Sequence, residues 1–512
     1  MTRFAVVGCV VGVVCATAVG TEITIGPRTY EVTESRINDF TWDKQYRPSV
    51  AVLTNGNFIV GWTSHSQLGC CCECIGKVFS ATGQVLTSEV LLNPNQTSGW
   101  EFGAVFGALP GGGFAVAYAG SSGYARFQRF DSALNPVGAD TIVGTWEVWP
   151  LCSSSSSGDF VVAYGRGGGV CEDSVSARRY NSSGIPYGPE FQVNTDPLGF
   201  TYDVASLASC ASAPDGSLVV AWCNAAGDIR AQLYDPNGAA VGGEFTVNSS
   251  TGGSRVRPTV QYTPTDDIVV TWYGSGVGDS DGIYARRLAG DGSFLGDEWL
   301  VNETTTGSQT SANLGVASSG EFIISWRSDD GDGLGVFARL YDASGKAVGS
   351  EFQVNQFTSG NQYTKDLAGR EGIAIVGDML VFTWYGNTPG DNEGIGMTLF
   401  KRKGTALTVT IKKHPEWGEV LVEPNLPYYD PNGPNNVVTL TAGVTEEGKW
   451  WGGWSGDVDP NDRYTNPLTI TMDTDKDIST SFKCGMGTGP LVPMALGVLG
   501  LFAVARRRRT RS

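Results

Sequence analysis

The stretch GGEFTVNSSTGG, residues 242–253, has two close relatives in the same chain, GPEFQVNTDPLG at 188–199 and GSEFQVNQFTSG at 349–360. Each copy sets an acid, an aromatic residue, a valine and an asparagine in the same order between glycines. Polar and apolar residues that alternate between turn formers predict a short β-strand. A chain that writes the same strand several times is predicted to build its fold from repeated sheets.

A second recurring stretch is an apolar strand with an aromatic end, as in FVVAY, LVVAW and IVVTW. Its seven copies end at Trp62, Tyr118, Tyr164, Trp222, Trp272, Trp326 and Trp384. Six copies lead through a strand such as IYARRL to an outer strand of the EFQVN kind, near Glu89, Asp140, Glu190, Glu244, Glu298 and Glu351. Together with an inner strand, each unit offers four antiparallel strands, which is typical of a propeller blade.

The seventh copy, which runs to about Lys403, lacks the outer strand. Residues 29–34, TYEVTE, match its pattern and precede the first copy, so the N-terminus can complete the last sheet and remove an exposed edge. We therefore predict an all-β fold, a seven-bladed β-propeller over residues 29–403 closed by an N-terminal strand. The polar residues of the outer strands are expected to face water. An open solenoid or an array of β-sandwiches is the alternative.

The two ends of the chain are typical of export and membrane targeting. Residues 1–20 combine Arg3, an apolar run and small residues, as a secretory signal peptide does, with an uncleaved anchor as the alternative. Residues 485–512 contain a short apolar stretch, predicted to be a hydrophobic helix, before Arg506, Arg507, Arg508 and Arg509. With Cys484 and Gly485, this order resembles the C-terminal sorting signals of bacterial surface proteins. A plain single-span anchor is the other interpretation.

Charge excludes one class of partner. Without these two ends, the body carries 29 Lys and Arg against 52 Asp and Glu, a net charge of about −23. Binding to phosphate backbones needs a basic face, so we expect no nucleic-acid partner. Cations and cationic polymers remain open.

Family resemblances extend this interpretation. The elements FVVAY, LVVAW, ARRY and EFxVN resemble a β-propeller repeat of exported bacterial proteins, a family recognised by structure that has no uniform activity. Residues 406–484, with GGWSGDV and NPLTITMDTDKDI, resemble the divergent bacterial repeat related to the internalin B-repeat. That resemblance implies a small β-rich module that acts as a stalk or adhesion spacer. We expect Trp450, Trp451 and Trp454 to pack in its core and lid, with a sugar-binding platform as the alternative.

Cysteines suggest disulfide bonds in an exported protein. We expect Cys70, Cys71, Cys72, Cys74, Cys152, Cys171, Cys210 and Cys223 to pair inside the propeller, which leaves Cys484 for the sorting signal. Cys210 and Cys223 flank one hairpin and are the best single pair. A soft metal bound by the SHSQLGCCCEC cysteines beside His65 is the alternative, and the identity of any metal is unknown.

Acidic loops are the candidate ligand sites. They contain Asp279 and Asp281, then Asp329, Asp330 and Asp332, then Asp391 and Glu393. Loops at equivalent places of a propeller share one face, so these acids are candidates for binding a ligand or calcium, the only cofactor that we expect as possible. Asp and Gly are also ordinary turn formers, and no loop has the spacing of an EF-hand.

No catalytic residues can be assigned. The chain has only two histidines, His65 and His414, and no sequence motif surrounds His65. The arginines of SARRY and YARRL fit a carboxylate clamp less well than a structural role on their strands. We expect a monomeric, exported, surface-displayed and non-enzymatic recognition or adhesion protein that binds a polysaccharide, a protein or a cation-bridged partner and reaches the membrane through its tail. A carbohydrate-active hydrolase or lyase with paired carboxylates, or a purely structural envelope component, are the alternatives.

Overall fold

The computed structural model describes residues 21–68, 72–94, 102–120, 124–144, 150–166, 174–195, 208–364, 372–404, 407–413, 415–423, 437–445, 449–472 and 476–484. The chain divides into two compact units between Gly404 and Thr405. The described parts of both units are built of β-strands, with short 3-10 turns at Pro110–Gly112 and Pro415–Trp417.

The first unit contains seven antiparallel sheets in chain order across its described residues. The strands of the first three sheets are β3 (Gln45–Val52), β4 (Phe58–His65), β5 (Cys72–Phe79) and β6 (Val90–Leu91), then β7 (Phe102–Ala108), β8 (Phe114–Ala119), β9 (Ala125–Phe130) and β10 (Pro136–Gly144), then β11 (Leu151–Ser154), β12 (Phe160–Arg166), β13 (Ser174–Tyr180) and β14 (Phe191–Gln192). Each strand is hydrogen-bonded to the next one in the chain.

The next three sheets repeat this order, and the seventh differs. Their strands are β15 (Ala208–Ser212), β16 (Leu218–Cys223), β17 (Ile229–Tyr234) and β18 (Ala240–Thr246), then β19 (Arg255–Tyr262), β20 (Ile268–Gly274), β21 (Gly282–Leu288) and β22 (Trp299–Leu300), then β23 (Thr310–Val316), β24 (Phe322–Asp329), β25 (Leu334–Tyr341) and β26 (Phe352–Gln353). The seventh sheet contains β27 (Gln362–Tyr363), β28 (Ile373–Val376), β29 (Met379–Thr388), β30 (Asp391–Lys403) and, from the N-terminus, β1 (Thr21–Ile25) and β2 (Arg28–Arg36). Repeated four-stranded sheets of this kind characterise β-propellers.

The hydrophobic core lies between the sheets. One cluster joins the fourth and fifth sheets through residues such as Val219 and Trp272, and equivalent clusters fill the other gaps. The cluster that contains Trp62 and Val381 joins the seventh sheet to the first. The seven aromatic residues that end the predicted strands all lie on the second strand of a sheet and are buried. Burial of apolar surface between neighbours therefore holds the sheets together in a closed series.

The asparagine of each EFxVN copy locks the outer strand to its own sheet. In the fourth sheet, the backbone N–H of Val247 donates to the carbonyl of Ile229, and Asn248 Oδ1 accepts the N–H of Ile229 at 2.7 Å. The same asparagine bond recurs at Asn38, Asn93, Asn194, Asn302 and Asn355. Because these asparagines are nearly fully buried, the polar residues of the outer strand do not simply face water as the sequence predicts.

In four of the copies, the acid reaches the preceding sheet. Glu298, in the fifth sheet, accepts the backbone N–H groups of Ser249 at 2.7 Å and Ser250 at 3.0 Å in the fourth. Equivalent bonds run from Glu89 to Asp39, from Glu244 to Thr195 and from Glu351 to Glu303 and Thr304. Hydrogen bonds to charged groups are stronger than neutral ones, so each acid fixes the spacing of two sheets.

The N-terminal strand closes the series. β2 pairs with β30 along its whole length, from Thr29 opposite Lys403 to Arg36 opposite Gly396. Residues 29–34 lie inside this strand, as predicted, but they do not occupy the positions of the EFxVN motif. Glu34 and Asn38 make the acid and asparagine bonds, so the motif of the closing strand is ESRIN, which the sequence pattern placed too early.

The paired arginines also connect neighbouring sheets. In the fifth sheet, Arg286 Nε donates to the carbonyl of Gly296 at 3.0 Å, and its Nη1 donates to Val247 in the fourth sheet at 2.7 Å. The adjacent Arg287 donates to the carbonyl of Ser344 in the sixth sheet and to Asp267 at 2.8 Å. These bonds give the arginines the structural role that the sequence favours over a carboxylate clamp.

The predicted disulfide between Cys210 and Cys223 is wrong. Cys210 lies opposite Val220 in the β15–β16 pair, so Cys223 is three positions away and points to the other face of the sheet. Cys210 packs in the core between the third and fourth sheets, whereas Cys223 packs between the fourth and fifth. Five cysteines form no disulfide with one another and are all buried, namely Cys72, Cys74, Cys152, Cys210 and Cys223. Cys70, Cys71 and Cys171 lie outside the described residues.

The second unit forms two three-stranded sheets over its described residues. β31 (Leu407–Lys413), β36 (Lys476–Cys484) and β34 (Lys449–Gly456) form one, and β32 (Gly418–Glu423), β33 (Val437–Val444) and β35 (Leu468–Thr471) form the other. Trp454 is fully buried and its indole N–H donates to the carbonyl of Thr465 at 2.8 Å. Trp451 packs edge-on against it and donates to Thr480 Oγ1 at 2.7 Å. Two of the three tryptophans thus pack as interior residues.

The predicted signal peptide, residues 1–20, and the predicted helix of 485–512 lie outside the described residues, as do Gly485 and Arg506 to Arg509. Within the part of the chain that the structure describes, no helix is long and apolar enough to cross a membrane. Cys484 is the last residue of β36.

Candidate functional site

Three of the predicted ligand acids have the same structural role in successive sheets. Asp279 Oδ1 accepts the backbone N–H of Asp281 at 3.0 Å, and its Oδ2 accepts Asn302 Nδ2 at 3.0 Å. Asp330 accepts the N–H of Asp332 and the amide of Gln353, both at 3.2 Å. Both carboxylates close a turn and tie it to the outer strand, which is ordinary turn chemistry.

The third acid of this kind, Asp391, lies in a different setting. Its Oδ1 accepts the N–H of Glu393 at 3.0 Å and its Oδ2 accepts Asn38 Nδ2 at 2.9 Å. Because Asn38 belongs to the chain's N-terminal segment, this turn lies where the ends of the repeated region meet. Asp391 and Glu393 are the two predicted ligand acids that line a common pocket.

The remaining predicted acids are dispersed. Asp329 Oδ1 accepts the N–H of Gly331 at 2.8 Å in another turn of the sixth sheet, and Asp332 is exposed. Across the described ranges, no group of three or more His, Cys, Asp or Glu side chains comes close enough together to hold a metal ion.

The pocket at this junction has a volume of about 340 Å³ and is lined by Thr41, Asp43, Gly390, Asp391, Asn392 and Glu393. Two of these residues lie in the segment between β2 and β3, and the other four lie in the β29–β30 hairpin. We call this the seam pocket. Its volume would hold roughly ten water molecules, which is close to the size of one monosaccharide. Every lining side chain is polar, and three are carboxylates.

Asp43 is the most constrained residue of the seam pocket. Its backbone is in the left-handed region, with φ of 64°, a conformation that Asp and Asn adopt more readily than most residues. Its carboxylate accepts His65 Nδ1 at 2.5 Å, Ser66 Oγ at 3.2 Å and the backbone N–H of Lys44 at 2.9 Å. The bond from His65 is the main reason why the pKa of Asp43 is lowered. The carboxylate therefore stays ionised and fixed in place.

Asp43, His65 and Ser66 do not form a nucleophilic triad. Ser66 Oγ lies 3.1 Å from His65 Nδ1, the same ring nitrogen that bonds Asp43. A serine–histidine–aspartate triad needs the acid on one nitrogen and the serine on the other, so that the ring can relay a proton. The three residues instead position the Asp43 carboxylate.

Trp42 lies between two lining residues and is 82% exposed. A large aromatic side chain at that exposure offers an open apolar face to solvent. Aromatic rings on exposed surfaces often mark binding sites, because they provide a large contact area at low entropic cost. Trp42 and the seam pocket together form the candidate site.

One ion pair crosses the pocket's rim. Lys44 Nζ lies 3.4 Å from Glu393 Oε1, and both side chains are more than half exposed. Such an exposed pair contributes little to stability and can open for a ligand. Three carboxylates against this one lysine leave the pocket acidic.

The sequence predicts Asp391 and Glu393 as ligand residues, but it does not predict a role for Thr41, Trp42 or Asp43. The segment NDFTWDK, residues 38–44, lies between strands and shows no alternation, so the repeat gives it no role. The one sign of a binding role in this segment is that two aromatic residues lie in a polar loop. Only the pairing of β2 with β30 reveals that this loop faces the last hairpin.

No model of a protein family matches this chain, and no curated protein matches it. Among solved structures, the chain is similar to a protein of unknown function from Dyadobacter fermentans, with 13% identity, a TM-score of 0.43 and coverage of 72% of this chain and 98% of that one. It is also similar to the β-propeller domain of the Trilobed protease from Pyrococcus furiosus, with 8% identity, a TM-score of 0.42 and coverage of 71% and 96%. A fungal alcohol oxidase in complex with copper has 14% identity, a TM-score of 0.44 and coverage of 90% of both chains. These low scores assign no activity.

Proposed function

We propose that the protein is an exported, surface-displayed recognition or adhesion protein that binds a carbohydrate at Trp42 and the seam pocket. The observation that carries the proposal is the exposed Trp42, which lies in the chain between Thr41 and Asp43, two residues that line a pocket of hydroxyl, amide and carboxylate groups. Sugars present an apolar face of C–H groups and a rim of hydroxyls, so an aromatic plane with adjacent polar acceptors complements them. Binding sites generally pair a broad apolar contact with a few placed polar groups.

The same geometry supports binding over turnover. General acid catalysis by a carboxyl needs a raised pKa, whereas the pKa of Asp43 is lowered by His65. Burial raises the pKa of Glu34 and of Asp378, and neither residue lines the seam pocket. A hydrolase or lyase that uses paired carboxylates is the competing function and becomes an outcome of the test below.

The scaffold of the proposal is a single seven-bladed β-propeller closed by β2. Seven core clusters, each between two successive sheets, and the pairing of β2 with β30 support a closed ring. The second unit is proposed to be a stalk of the internalin B-repeat type. The tail from Cys484 is proposed to deliver the protein to the membrane and the cell surface as a sorting signal, after the signal peptide directs export.

A glycan array probed with the full chain, with Trp42→Ala and with Tyr187→Ala tests the function. Tyr187 is also an exposed aromatic residue, at 59%, but it lies in the third repeat. We expect glycan binding by the wild type and by Tyr187→Ala, and at least a tenfold weaker signal for Trp42→Ala. Equal binding by all three proteins, or none by the wild type, overturns the proposal. Release of reducing ends or unsaturated products from a bound glycan would establish the enzymatic alternative.

A further inference from the structure

The inner strand bends at the same position in four of the sheets. Opposite the buried aromatic residue of the second strand, the ladder skips, and the residue at the skip has a positive φ. These residues are Arg47 at 56°, Gly103 at 67°, Arg257 at 52° and Ser311 at 62°. Bulges of this kind favour glycine, because a side chain makes a positive φ unfavourable.

Arginine occupies this position twice, although its backbone suits the position poorly. Arg47 and Arg257 are each followed by a proline, Pro48 and Pro258, and a proline pushes the residue before it towards extended backbone with negative φ. Backbone strain of this kind is concentrated at functional sites, where the surrounding structure holds it in place. The two arginines therefore point to a role for their side chains at this end of the inner strands.

The side chains at this level form a continuous cluster in the fifth, sixth and seventh sheets. Burial raises the pKa of Tyr273, and the charges of Arg257 and Arg327 oppose that rise, so both guanidinium groups lie near its hydroxyl. Asp281 acts on Tyr273 more weakly than either arginine. The guanidinium carbon of Arg327 lies 5.4 Å from the centre of the Tyr363 ring in the seventh sheet. Positive charge and aromatic rings thus alternate from one sheet to the next.

The first sheet extends this cluster, since its core is continuous with that of the seventh. The guanidinium carbon of Arg47 lies 5.2 Å from the centre of the Tyr46 ring. Tyr46 lies opposite Thr63, one position beyond the aromatic Trp62, as Tyr273 and Arg327 lie one position beyond Trp272 and Trp326. We call these residues the arginine row: Tyr46, Arg47, Arg257, Tyr273, Arg327 and Tyr363. All six are half-buried, so they are partly accessible to solvent.

The chemistry of the arginine row complements a polymer that carries carboxylates. A guanidinium group has five N–H donors in a plane, can bind more than one partner at once and matches a carboxylate with two parallel hydrogen bonds. Tyrosine rings between the arginines offer flat faces on which sugar rings can stack, together with a hydroxyl. Three arginines spread over successive sheets suit a ligand whose carboxylates repeat along its length.

We propose that the arginine row binds an acidic polysaccharide of the uronic acid class, with its carboxylates on Arg47, Arg257 and Arg327. This is a second site, because none of its residues lines the seam pocket. The inference therefore goes beyond the proposed function and does not depend on Trp42. The tyrosines favour a polysaccharide over an acidic peptide, which becomes an outcome of the test.

Calorimetry with the full chain compares pentagalacturonate, its fully methyl-esterified form and a pentaglutamate peptide. Esterification removes the charges without changing the length or the linkage. We expect the acid to bind at least tenfold more tightly than the ester, with the difference reduced at high salt. Equal affinity of acid and ester, or no binding of either, overturns the inference and leaves the glycan-array result for Trp42 unaffected. Tighter binding of the peptide would replace the polysaccharide with an acidic protein segment and also overturn it.

The variant Arg257→Gly separates binding from folding. Glycine already holds the equivalent position at Gly103 and adopts a positive φ without steric cost, so the Tm of the variant should be no lower than that of the wild type. Its affinity for pentagalacturonate should fall at least fivefold. Arg257→Lys keeps the charge but not the paired donors and should lose less affinity than Arg257→Gly. Wild-type affinity in Arg257→Gly would exclude this arginine and overturn the inference.

Two further variants test charge and location. Arg463→Gln removes the same charge from an exposed turn of the second unit and should bind pentagalacturonate as the wild type does. A loss equal to that of Arg257→Gly would reduce the effect to net charge and overturn the inference. Trp42→Ala should also keep wild-type affinity for pentagalacturonate. Loss of this affinity in Trp42→Ala would show one carbohydrate site instead of two, which overturns the second site and supports the proposed function.

Discussion

The carboxylate of Glu34 accepts the backbone N–H of Phe357 at 2.9 Å, a hydrogen bond between residues 323 positions apart in the chain. The same carboxylate accepts the N–H of Gln356 at 2.7 Å and the hydroxyl of Thr398 at 3.0 Å. Glu34 therefore joins the N-terminal strand to the sixth and seventh sheets at once. Like Glu298 and Glu351, Glu34 accepts backbone N–H groups of the preceding sheet. It is more deeply buried than they are, at 5% exposure.

Replacement of Glu34 should weaken the closure. Glu34→Ala leaves two backbone N–H groups without an acceptor, and we expect a loss of about 1–3 kcal/mol in the free energy of unfolding of the first unit. Denaturant unfolding followed by tryptophan fluorescence measures it. Glu31→Ala alters an exposed acid of the same strand and should be within about 0.5 kcal/mol of the wild type. Equal stability of the two variants would show that the closing bonds contribute nothing.

The same residue predicts a pH dependence. Burial raises the pKa of Glu34 in the folded protein, against the opposing effect of its three donors. The folded state then binds a proton more tightly than the unfolded state, so this group lowers stability as pH rises from the unfolded carboxyl pKa, about 4.3, through the raised folded value. Glu34→Gln should remove that part of the slope. Unfolding curves between pH 4 and pH 7 check it, and identical slopes in both proteins would contradict it.

The asparagine lock should contribute measurably in each sheet. Asn248 is nearly fully buried, accepts the N–H of Ile229 and donates to Asp228 at 3.0 Å. We expect Asn248→Ala to reduce stability by about 1–3 kcal/mol, because it leaves a buried backbone donor unpaired. Asn237→Ala, in an exposed turn of the same sheet, is the matched control and should have little effect. A thermal melt of each variant distinguishes them.

The thiol of Cys223 should be inert in the folded protein. Burial raises its pKa to about 12, so at pH 8 the reactive thiolate is suppressed roughly a thousandfold relative to an ordinary cysteine. Alkylation with iodoacetamide, followed by peptide mass spectrometry, should modify Cys223 only after denaturant is added. A peptide map that contains a Cys210–Cys223 crosslink would contradict both this prediction and the register of β15 and β16.

Sequence alone predicts the repeated strands because their signal is local. The aromatic-ended strand and the EFxVN strand each carry their own alternation, and the glycine turns between them are visible without knowledge of any partner. The closing strand was also predicted, although its motif residues are Glu34 and Asn38. The burial of the motif's polar residues is not predicted. A hydrogen bond to a neighbouring sheet does not change the alternation of polar and apolar residues within one strand.

The candidate site and the cysteines depend on contacts between distant parts of the chain. Thr41 and Asp43 meet Asp391 only because β2 pairs with β30, which no local pattern reports. Cys210 and Cys223 look well placed for a disulfide because they lie at two ends of a hairpin. Cys223, however, is an odd number of positions from the residue opposite Cys210, so the two side chains lie on opposite faces of the sheet. Prediction from the sequence therefore succeeds where a structural feature is determined by a short segment. It fails where the feature depends on strand register or on contacts between distant parts of the chain.

The pairing of β2 with β30 also sets the order of events during biosynthesis. A nascent chain offers Arg28–Arg36 to its partner only after Lys403 has left the ribosome, nearly four hundred residues later. Until then both edges of the unfinished array stay open to wrong partners, and contacts of such long range form slowly.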